Sequence, residues 1–297
     1  MARLRRLFSL VVLGLLGCTV RQRSPRTAPG DENVERKVRS EEAGQFPRVP
    51  SDSEIPPGLL GISIRRGRAL LRNTRDSLPH NVGSDLRCFS CHLRDGAQPG
   101  AAPLVGVYSR FPQYRARTGA VILIEDRVND CFERSLNGTA IPADGPEMRD
   151  IVAYLAFISR GVPPPGLFPG TGVRTLDPLP ADSVRGRAVF AAVCARCHGP
   201  SGRGTPLAPP VWGPRSFNIG AAFARLRVAA AFIRDNMPVD RAVTLTDQQA
   251  FDVAAFLVSR PRPDFALKVN DWPNGDVPPD VSYPTRSGRR TPAKPKP

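Results

Sequence analysis

Two copies of a five-residue cysteine motif carry the most recognisable chemistry in this 297-residue sequence. The first copy is "CFSCH" at residues 88–92, and the second is "CARCH" at residues 194–198. Two thiols at this spacing can form thioethers with the two vinyl groups of one porphyrin, and the adjacent histidine can bind the iron. The alternatives are a redox-active cysteine pair or half of a zinc site, followed by a chance histidine.

Because both copies carry the histidine, the sequence predicts two covalently bound haem c groups. The residues expected to hold them are Cys88, Cys91, His92, Cys194, Cys197 and His198. The two histidines would be the proximal ligands, which leaves the distal position of each iron to be assigned.

Met237 is the predicted distal ligand of the second haem. It is the only methionine in that part of the chain, and it stands 39 residues after His198. The proline that follows it fits a loop and would break a helix. The alternative is that Met237 is a filler of the hydrophobic core.

Cys131 is the predicted distal ligand of the first haem, bound as a thiolate. It stands 39 residues after His92, the same separation as in the second copy. Three alternatives stay open: Met148 or His80 as the ligand, or Cys131 as a buried free thiol. A thiolate donates more electron density to iron than a thioether does, so the first haem should be harder to reduce than the second.

The sequences around the two motifs also repeat each other. "RRGRALL" at residues 65–71 corresponds to "VRGRAVF" at 184–190, and "DIVAYLAFISRG" at 150–161 corresponds to "DVAAFLVSRP" at 252–261. The apolar residues of the later elements recur at helical spacing. The sequence therefore predicts a mostly α fold with two cytochrome c-type haem domains in tandem, each with a helix before the motif and another near its end.

Composition divides the chain into six segments, because stretches rich in proline, glycine and charge separate two bodies with helical patterns. The predicted segments are an export signal (1–17), a flexible tether (18–56), the first haem domain (57–161), a linker (162–181), the second haem domain (182–263) and a proline-rich basic tail (264–297).

The N-terminus "MARLRRLFSLVVLGLLGC" has a basic start and an apolar run that is too short to span a bilayer. It predicts export, and the residues before Cys18 approximate a lipoprotein signal. We therefore expect a periplasmic protein anchored to the membrane by a lipid on Cys18. The alternative is ordinary cleavage nearby and a soluble product.

The formal net charge of +15 favours anionic partners. Nucleic acid is not expected, because no basic helix or interleaved aromatic stripe accompanies the charge. Acidic redox partners, anionic substrates or a membrane surface fit better.

The run "GAVILIEDRVNDCFERSLNGTAIPADGPEM" resembles the dihaem cytochrome c thiosulfate dehydrogenases, and so do "SFNIGAAFARLRVAAAFIRDNMP" and the later "DWPNG". The resemblance covers about residues 57–283. It implies a reaction in which two thiosulfates join into tetrathionate and release two electrons, which some members run in reverse. It also implies a periplasmic or membrane cytochrome as the electron acceptor.

The resemblance also implies a ligand set. The catalytic haem of this family has histidine and cysteine ligands, which here are His92 and Cys131. Its electron-exit haem has histidine with methionine, or with lysine in some members, which here are His198 and Met237. Asn236 precedes Met237, so the sequence supplies no lysine for a ligand exchange at that neighbouring position.

By position, the resemblance implies that Arg117, Arg127 and Ser135 form the substrate pocket around the cysteine ligand. Arginines also have an electrostatic reason to be there, because two dianions about 5 Å apart repel by roughly 3 kcal/mol even in water. Fixed guanidiniums can offset this repulsion and donate two hydrogen bonds to one oxyanion. The alternative is that these arginines are solvated surface charges.

Two other functions compete with a thiosulfate dehydrogenase. A non-catalytic dihaem electron carrier explains both haem motifs and Met237, but it gives no purpose to a cysteine ligand near arginines. A sulfur-oxidation cytochrome that loads thiosulfate onto a carrier protein would also use a thiolate-ligated haem, although it would need partner proteins.

Overall fold

The computed structural model describes residues 45–287. The predicted export signal, Cys18, most of the predicted tether and the last ten residues lie outside this range. Within it, no helix is both long enough and apolar enough to cross a membrane.

Six helices of seven or more residues dominate the described part of the chain. They are α1 (Gly58–Arg72), α2 (Ile124–Arg134), α3 (Pro146–Ile158), α4 (Ser183–Val189), α5 (Leu226–Asn236) and α6 (Asp247–Val258). One small antiparallel hairpin is formed by β1 (Gln113–Arg115) and β2 (Ala120–Ile122). The mostly α architecture predicted from the sequence is confirmed.

The two haem motifs have different backbone conformations. In the first motif, Cys88–Ser90 form a single 3-10 turn. In the second, α4 continues through a π-helical stretch, Phe190–Cys194, into the turn Ala195–His198. Both motifs follow the helix that opens their domain, which brings the cysteines to the edge of each core.

Two glycines set how closely the helices cross in the two halves. A Cβ atom on Gly67 of α1 would lie 1.9 Å from the carbonyl oxygen of Asp150 on α3. A Cβ atom on Gly186 of α4 would lie 1.9 Å from the carbonyl oxygen of Asp252 on α6. Only glycine allows backbones to approach this closely, so the sequence repeat encodes the same helix crossing twice.

The polar groups at the helix starts explain where several helices begin. The side chain of Asp182 accepts hydrogen bonds from the first backbone N–H groups of α4, at Val184 and Arg185. At the start of α6, Thr246 and Gln249 exchange side-chain to backbone hydrogen bonds in a capping box. Pro146 occupies the first turn of α3, where its missing N–H costs no hydrogen bond.

The two cores contact each other through a loop of the second half. Asn218, which is 2% exposed, donates from its side chain to the carbonyl of Glu133 at the end of α2. Its backbone N–H donates to the carbonyl of Arg134 at 3.1 Å. The backbone N–H of Asp85 donates to the carbonyl of Arg215 in the same loop. This loop therefore closes over the first core rather than serving only the second.

Residues of the predicted tether and linker pack against the two hydrophobic cores. Ile55, within the predicted tether, is buried in the first core, and Phe46 contacts Phe168 of the predicted linker edge to face. Leu176 of the linker is buried in the second core. Composition identifies the segments that contain few apolar residues. A single buried apolar side chain, such as Ile55 or Leu176, is nevertheless enough to attach such a segment to a core.

Residues 264–287, here called the C-terminal segment, differ most from their assignment to a proline-rich tail. Phe265, Trp272 and Tyr283 are each at most 8% exposed. The backbone N–H of Trp272 donates to the carbonyl of Arg117 in the first half of the chain. The segment therefore crosses back from the second domain and covers part of the first.

Candidate haem and anion site

The two motif histidines are held in the tautomer that an iron ligand needs. Nδ1 of His92 lies 2.6 Å from the carbonyl oxygen of Ala102, and Nδ1 of His198 lies 2.7 Å from that of Pro209. A carbonyl only accepts, so Nδ1 carries the proton and Nε2 is left with its lone pair. Burial lowers the pKa of His92 to about 4, which also favours the neutral ring.

A mostly apolar cavity lies beside the first motif. It encloses about 970 Å³ of empty space, open solvent included, and Cys88, Cys91 and His92 line it. The loop and helix of the second half supply one wall, formed by Phe217, Ala221, Ala222, Phe223 and Val228. None of the five described cysteines forms a disulfide, so both thiols of the motif are available for thioethers. The cavity suits a porphyrin attached at its rim.

Cys131 lines this same cavity from helix α2. The two rival ligands lie elsewhere: Met148 is fully buried in the first core, and His80 is exposed on a loop. Neither residue lines the cavity. Among the candidate ligands considered from the sequence, only Cys131 lines the cavity beside the first motif.

Helix α2 brings three of the predicted site residues to one face. Arg127, Cys131 and Ser135 follow each other at intervals of four residues, and all three line the cavity. Nη1 of Arg127 lies 2.7 Å from Sγ of Cys131. The Cys131 sulfur raises the pKa of Arg127 although burial opposes it, so the guanidinium stays charged.

A second, polar pocket opens next to the haem cavity, and we call it the anion pocket. Its empty volume is about 830 Å³, open solvent included. Five arginines and one carboxylate line it, namely Arg115, Arg117, Arg127, Arg134, Arg225 and Asp130. Arg127, Ser135 and Ala222 line both spaces, so the two spaces meet beside the residues one helical turn before and after Cys131.

The charges in the anion pocket are only partly neutralised. Arg134 pairs with Asp130 and Asp271, and Arg225 pairs with Asp280. Within residues 45–287, Arg115 and Arg117 form no ion pair with a carboxylate. Burial and the surrounding arginines lower the pKa of both. An entering dianion would relieve this repulsion.

The β hairpin holds Arg117 at its turn. The backbone N–H groups of Thr118 and Gly119 donate to the carbonyl of Arg115, which closes the turn between β1 and β2. Gly119 has φ of 65°, a conformation that favours glycine. From this turn, Nη1 of Arg117 donates to the carbonyl of Gly220 at 2.7 Å, so the guanidinium bridges to the second half.

Comparison with known proteins assigns both halves of the chain. Residues 81–163 match the model of the SoxA/TsdA cytochrome c domain, and residues 181–257 match that of cytochrome c oxidase, cbb3-type, subunit III. The thiosulfate dehydrogenase of Allochromatium vinosum is 46% identical over 234 residues, which cover 75% of this chain and 87% of that protein. The chain belongs to the thiosulfate dehydrogenase family. Two tandem cytochrome c domains, each with a covalently bound haem c, are thereby confirmed.

Further members of the thiosulfate dehydrogenase family support this assignment. The enzyme of Psychrobacter arcticus is 40% identical over 242 residues, which cover 79% of this chain and 74% of that protein. The solved thiosulfate dehydrogenase TsdBA from Marichromatium purpuratum, in its as-isolated form, superposes with a TM-score of 0.72 at 35% identity. That match covers 76% of this chain but only 51% of the solved chain, so the chain spans about half of it.

In the second haem domain, Met237 follows directly on helix α5. Its backbone N–H donates to the carbonyl of Ile233, and its side chain lies partly buried against the same core as Cys194. The preceding residue, Asn236, is 3% exposed and donates from its side chain to the carbonyl of Gly100 in the first domain. The predicted ligand is thus fixed at the contact between the two domains.

Several site residues were missed by sequence reasoning. Asp130, Arg134 and Arg225 line the anion pocket, although nothing in their local sequence distinguishes them from surface charges. Trp272 lines it as well, and Asp271 anchors it. The motif "DWPNG" contains these last two residues, and it was the one signal that could have found them.

Proposed function

We propose that this chain oxidises two thiosulfates to one tetrathionate at the first haem and passes the two released electrons through the second haem to an external acceptor. The observation that carries the proposal is the position of Cys131. It lines the cavity of the first haem motif and accepts a hydrogen bond from Arg127, and Arg127 itself lines both that cavity and the anion pocket. Membership of the thiosulfate dehydrogenase family supports the same reaction.

In this proposal, His92 and Cys131 hold the first iron, and His198 and Met237 hold the second. Each haem supplies a site for one electron, so together they match the two electrons of the reaction. A thiolate ligand lowers the potential of the first haem relative to the second. Electrons would therefore move toward the second domain. A loop of that domain lines the cavity of the first haem motif, so the two domains are in contact there.

The side chains of the anion pocket would bind and orient the substrate. Arg117 and Arg127 offset the repulsion between two thiosulfate dianions, and Ser135 offers a hydroxyl to an oxyanion. Two thiosulfates give one tetrathionate and two electrons, with no proton released or consumed. The pocket therefore needs fixed positive charge more than it needs a general base, and no histidine of residues 45–287 lines it.

The external acceptor is proposed to be a periplasmic or membrane cytochrome. We also propose that the chain is periplasmic and carries a lipid on Cys18, which lies outside the described residues. Mass spectrometry of the mature N-terminal peptide tests this directly. A lipidated cysteine at position 18 is the expected result, and an unmodified N-terminus further along the chain would contradict it.

The function is tested with the purified holoprotein, thiosulfate and ferricyanide, by measuring tetrathionate. The wild type should form one tetrathionate for every two ferricyanides reduced. Cys131→Ala should lose this activity while both haems stay attached, because Cys131 is not an attachment residue. His80→Gln is the matched control, since His80 is the exposed rival ligand, and it should behave as the wild type.

Two outcomes separate the parts of the proposal. A wild type that is reduced by thiosulfate without forming tetrathionate would contradict the reaction. A Cys131→Ala variant with wild-type activity would contradict the site but leave the reaction standing. Electron paramagnetic resonance of the ferric protein then reads the distal ligand of the first haem directly, because a thiolate gives a signature that an imidazole or a thioether does not.

A further inference from the structure

We propose that Trp272 is a positioning residue for substrate binding, because it holds the Arg117 guanidinium in the anion pocket. Through Trp272, the C-terminal segment forms part of the wall of that pocket. The inference rests on the proposed function, since the ligand of the pocket is taken to be a thiosulfate dianion. It deepens that function by assigning a role to a segment that neither haem domain includes.

Arg117 is held in place by contacts other than an ion pair with a carboxylate. It forms no ion pair within residues 45–287, and its guanidinium makes one hydrogen bond, to the carbonyl of Gly220. A single hydrogen bond to a neutral carbonyl leaves the long arginine side chain free to rotate about its other torsions. Leaving the charge without a carboxylate partner keeps it available to an anion, but its direction must then be fixed by other contacts.

Trp272 supplies these contacts at both ends of Arg117. The guanidinium carbon lies 4.7 Å from the centre of the indole ring, which is within the range of a cation–π contact. The backbone N–H of Trp272 donates to the backbone carbonyl of Arg117 at 2.8 Å. Trp272 therefore fixes both the backbone of Arg117 and the position of its guanidinium. The ring also lines the pocket, so the contact lies where the substrate would bind.

Trp272 is itself locked in place. It is 4% exposed and adopts φ of 53°, in the left-handed region that a tryptophan rarely occupies. Such a conformation persists only where the surroundings determine it. Its carbonyl accepts from Ser287 and from the backbone N–H of Gly275. The preceding residue, Asp271, is fixed in a buried ion pair with Arg134.

The tip of the hairpin is shaped to receive this segment. A Cβ atom on Gly119 would lie 2.5 Å from Cγ of Pro273, the residue after Trp272. Glycine therefore lets the hairpin turn approach the segment, and this approach brings Arg117 under the indole. The Arg134 partner of Asp271 also pairs with Asp130, which lies 3.5 Å from Arg127. The segment therefore contacts Arg117 directly and is linked to Arg127 indirectly, through Arg134 and Asp130.

The test compares Trp272→Leu, which removes the ring, with Trp272→Phe, which keeps a smaller one. The matched control is Phe157→Leu, because Phe157 is also buried and also carries an arginine on its ring, at 5.5 Å, but lies outside the anion pocket. Four quantities are measured for each holoprotein: the KM and the kcat for thiosulfate with ferricyanide, the haem content, and the calorimetric Kd for sulfate. Sulfate is a dianion that does not reduce the ferric protein.

We expect Trp272→Leu to raise the KM for thiosulfate and the Kd for sulfate together, by about tenfold, which corresponds to about 1.4 kcal/mol. The kcat and the haem content should stay near the wild-type values. Trp272→Phe keeps a smaller ring and should give an intermediate rise of about threefold in both constants, and Phe157→Leu should leave both unchanged. If the leucine variant does not accumulate as folded protein, Trp272→Phe alone decides the positioning role. It supports that role if its sulfate Kd rises by about threefold or more, which corresponds to about 0.65 kcal/mol.

Constants within twofold of the wild type in Trp272→Leu would overturn the inference. So would a loss of activity that follows haem content alone, since that result means a structural role. Failure of the proposed function gives a different result. A wild type that binds sulfate but forms no tetrathionate overturns the reaction, and the sulfate Kd of the variants still decides the role of Trp272.

Discussion

Arg134 and Asp271 form a buried bidentate ion pair that joins helix α2 to the C-terminal segment. Nη1 and Nη2 of Arg134 lie 2.8 and 2.7 Å from the two carboxylate oxygens of Asp271. Their side chains are 9% and 4% exposed. Tyr283 donates to the same carboxylate at 2.6 Å, and Arg134 stacks on Phe265. The segment is therefore attached to the first domain by charge as well as by apolar contacts.

Asp271→Asn should destabilise the protein strongly. The variant keeps the shape of the side chain but removes the more deeply buried of the two carboxylates that pair with Arg134, and losing hydrogen bonds to a charged group costs about 1.5–3 kcal/mol. We expect the free energy of unfolding from a urea titration to fall by an amount of this order. Asp240→Asn is the control, because Asp240 pairs with Arg196 at the exposed surface, and its unfolding midpoint should not move. Equal midpoints for the two variants would contradict a tightly attached segment.

The two helix crossings make a paired prediction. Gly67→Ala and Gly186→Ala each place a Cβ atom 1.9 Å from a carbonyl oxygen of the facing helix, so the helices must move apart. Overpacking of this kind costs about 1–3 kcal/mol or more. Thermal unfolding of both holoproteins should shift to lower temperature. Arg66→Ala, at the exposed position next to Gly67, should not shift it, and a wild-type melting curve for both glycine variants would disprove the close crossing.

The sequence predicted the parts of the site that depend on short spacings. The two haem motifs, the separation of 39 residues between each histidine and its predicted sulfur ligand, and the interval of four between Arg127 and Cys131 are all local patterns. The sequence also shows the repeat between the two halves, although the role of its glycine in the helix crossing is known only from the structure. Each of these features consists of particular residue types at a fixed spacing along the chain, which a sequence shows directly.

The remainder of the site depends on contacts between distant residues. Arg134 and Asp271 are separated by 137 positions, and Arg117 and Gly220 by 103. The C-terminal segment is rich in proline and charge, and only three spaced aromatic residues bury it. Composition therefore assigned it to a tail, because average hydropathy does not reveal a segment held mainly by ion pairs and single aromatic anchors.

Arg127→Gln should impair substrate turnover without affecting haem attachment. The variant removes the guanidinium that donates to Cys131 and, in the proposed reaction, one donor to the developing product, and the loss of one such donor typically costs about 10²-fold in rate. We expect kcat/KM for thiosulfate to fall by about this factor. Arg127→Lys should recover only part of it, because an ammonium keeps the charge but not the planar fork. Arg149→Gln, on the exposed face of α3, is the matched control. A kcat/KM for Arg127→Gln within twofold of the wild type would remove Arg127 from the site.

Asp252 gives the second domain a pH dependence. Burial alone raises its pKa, but hydrogen bonds from Arg185, the backbone N–H of Asp182 and Gln248 outweigh burial and hold the pKa below its ordinary value. A carboxyl group with a depressed folded-state pKa stabilises the protein above its unfolded pKa of about 3.9, and this contribution is lost as the pH falls through the folded value.

Asp252→Asn should therefore lower the free energy of unfolding at pH 7, by about 1.5–3 kcal/mol for hydrogen bonds to a charged group. Below about pH 4 the gap to the wild type should narrow, since the wild-type carboxyl group becomes protonated and loses the same interactions. Urea titrations at several pH values measure this gap. The exposed Asp276→Asn serves as the control, with no gap at either pH. A gap that stays constant from pH 7 to pH 3 would mean that Asp252 acts through its shape and not through its charge.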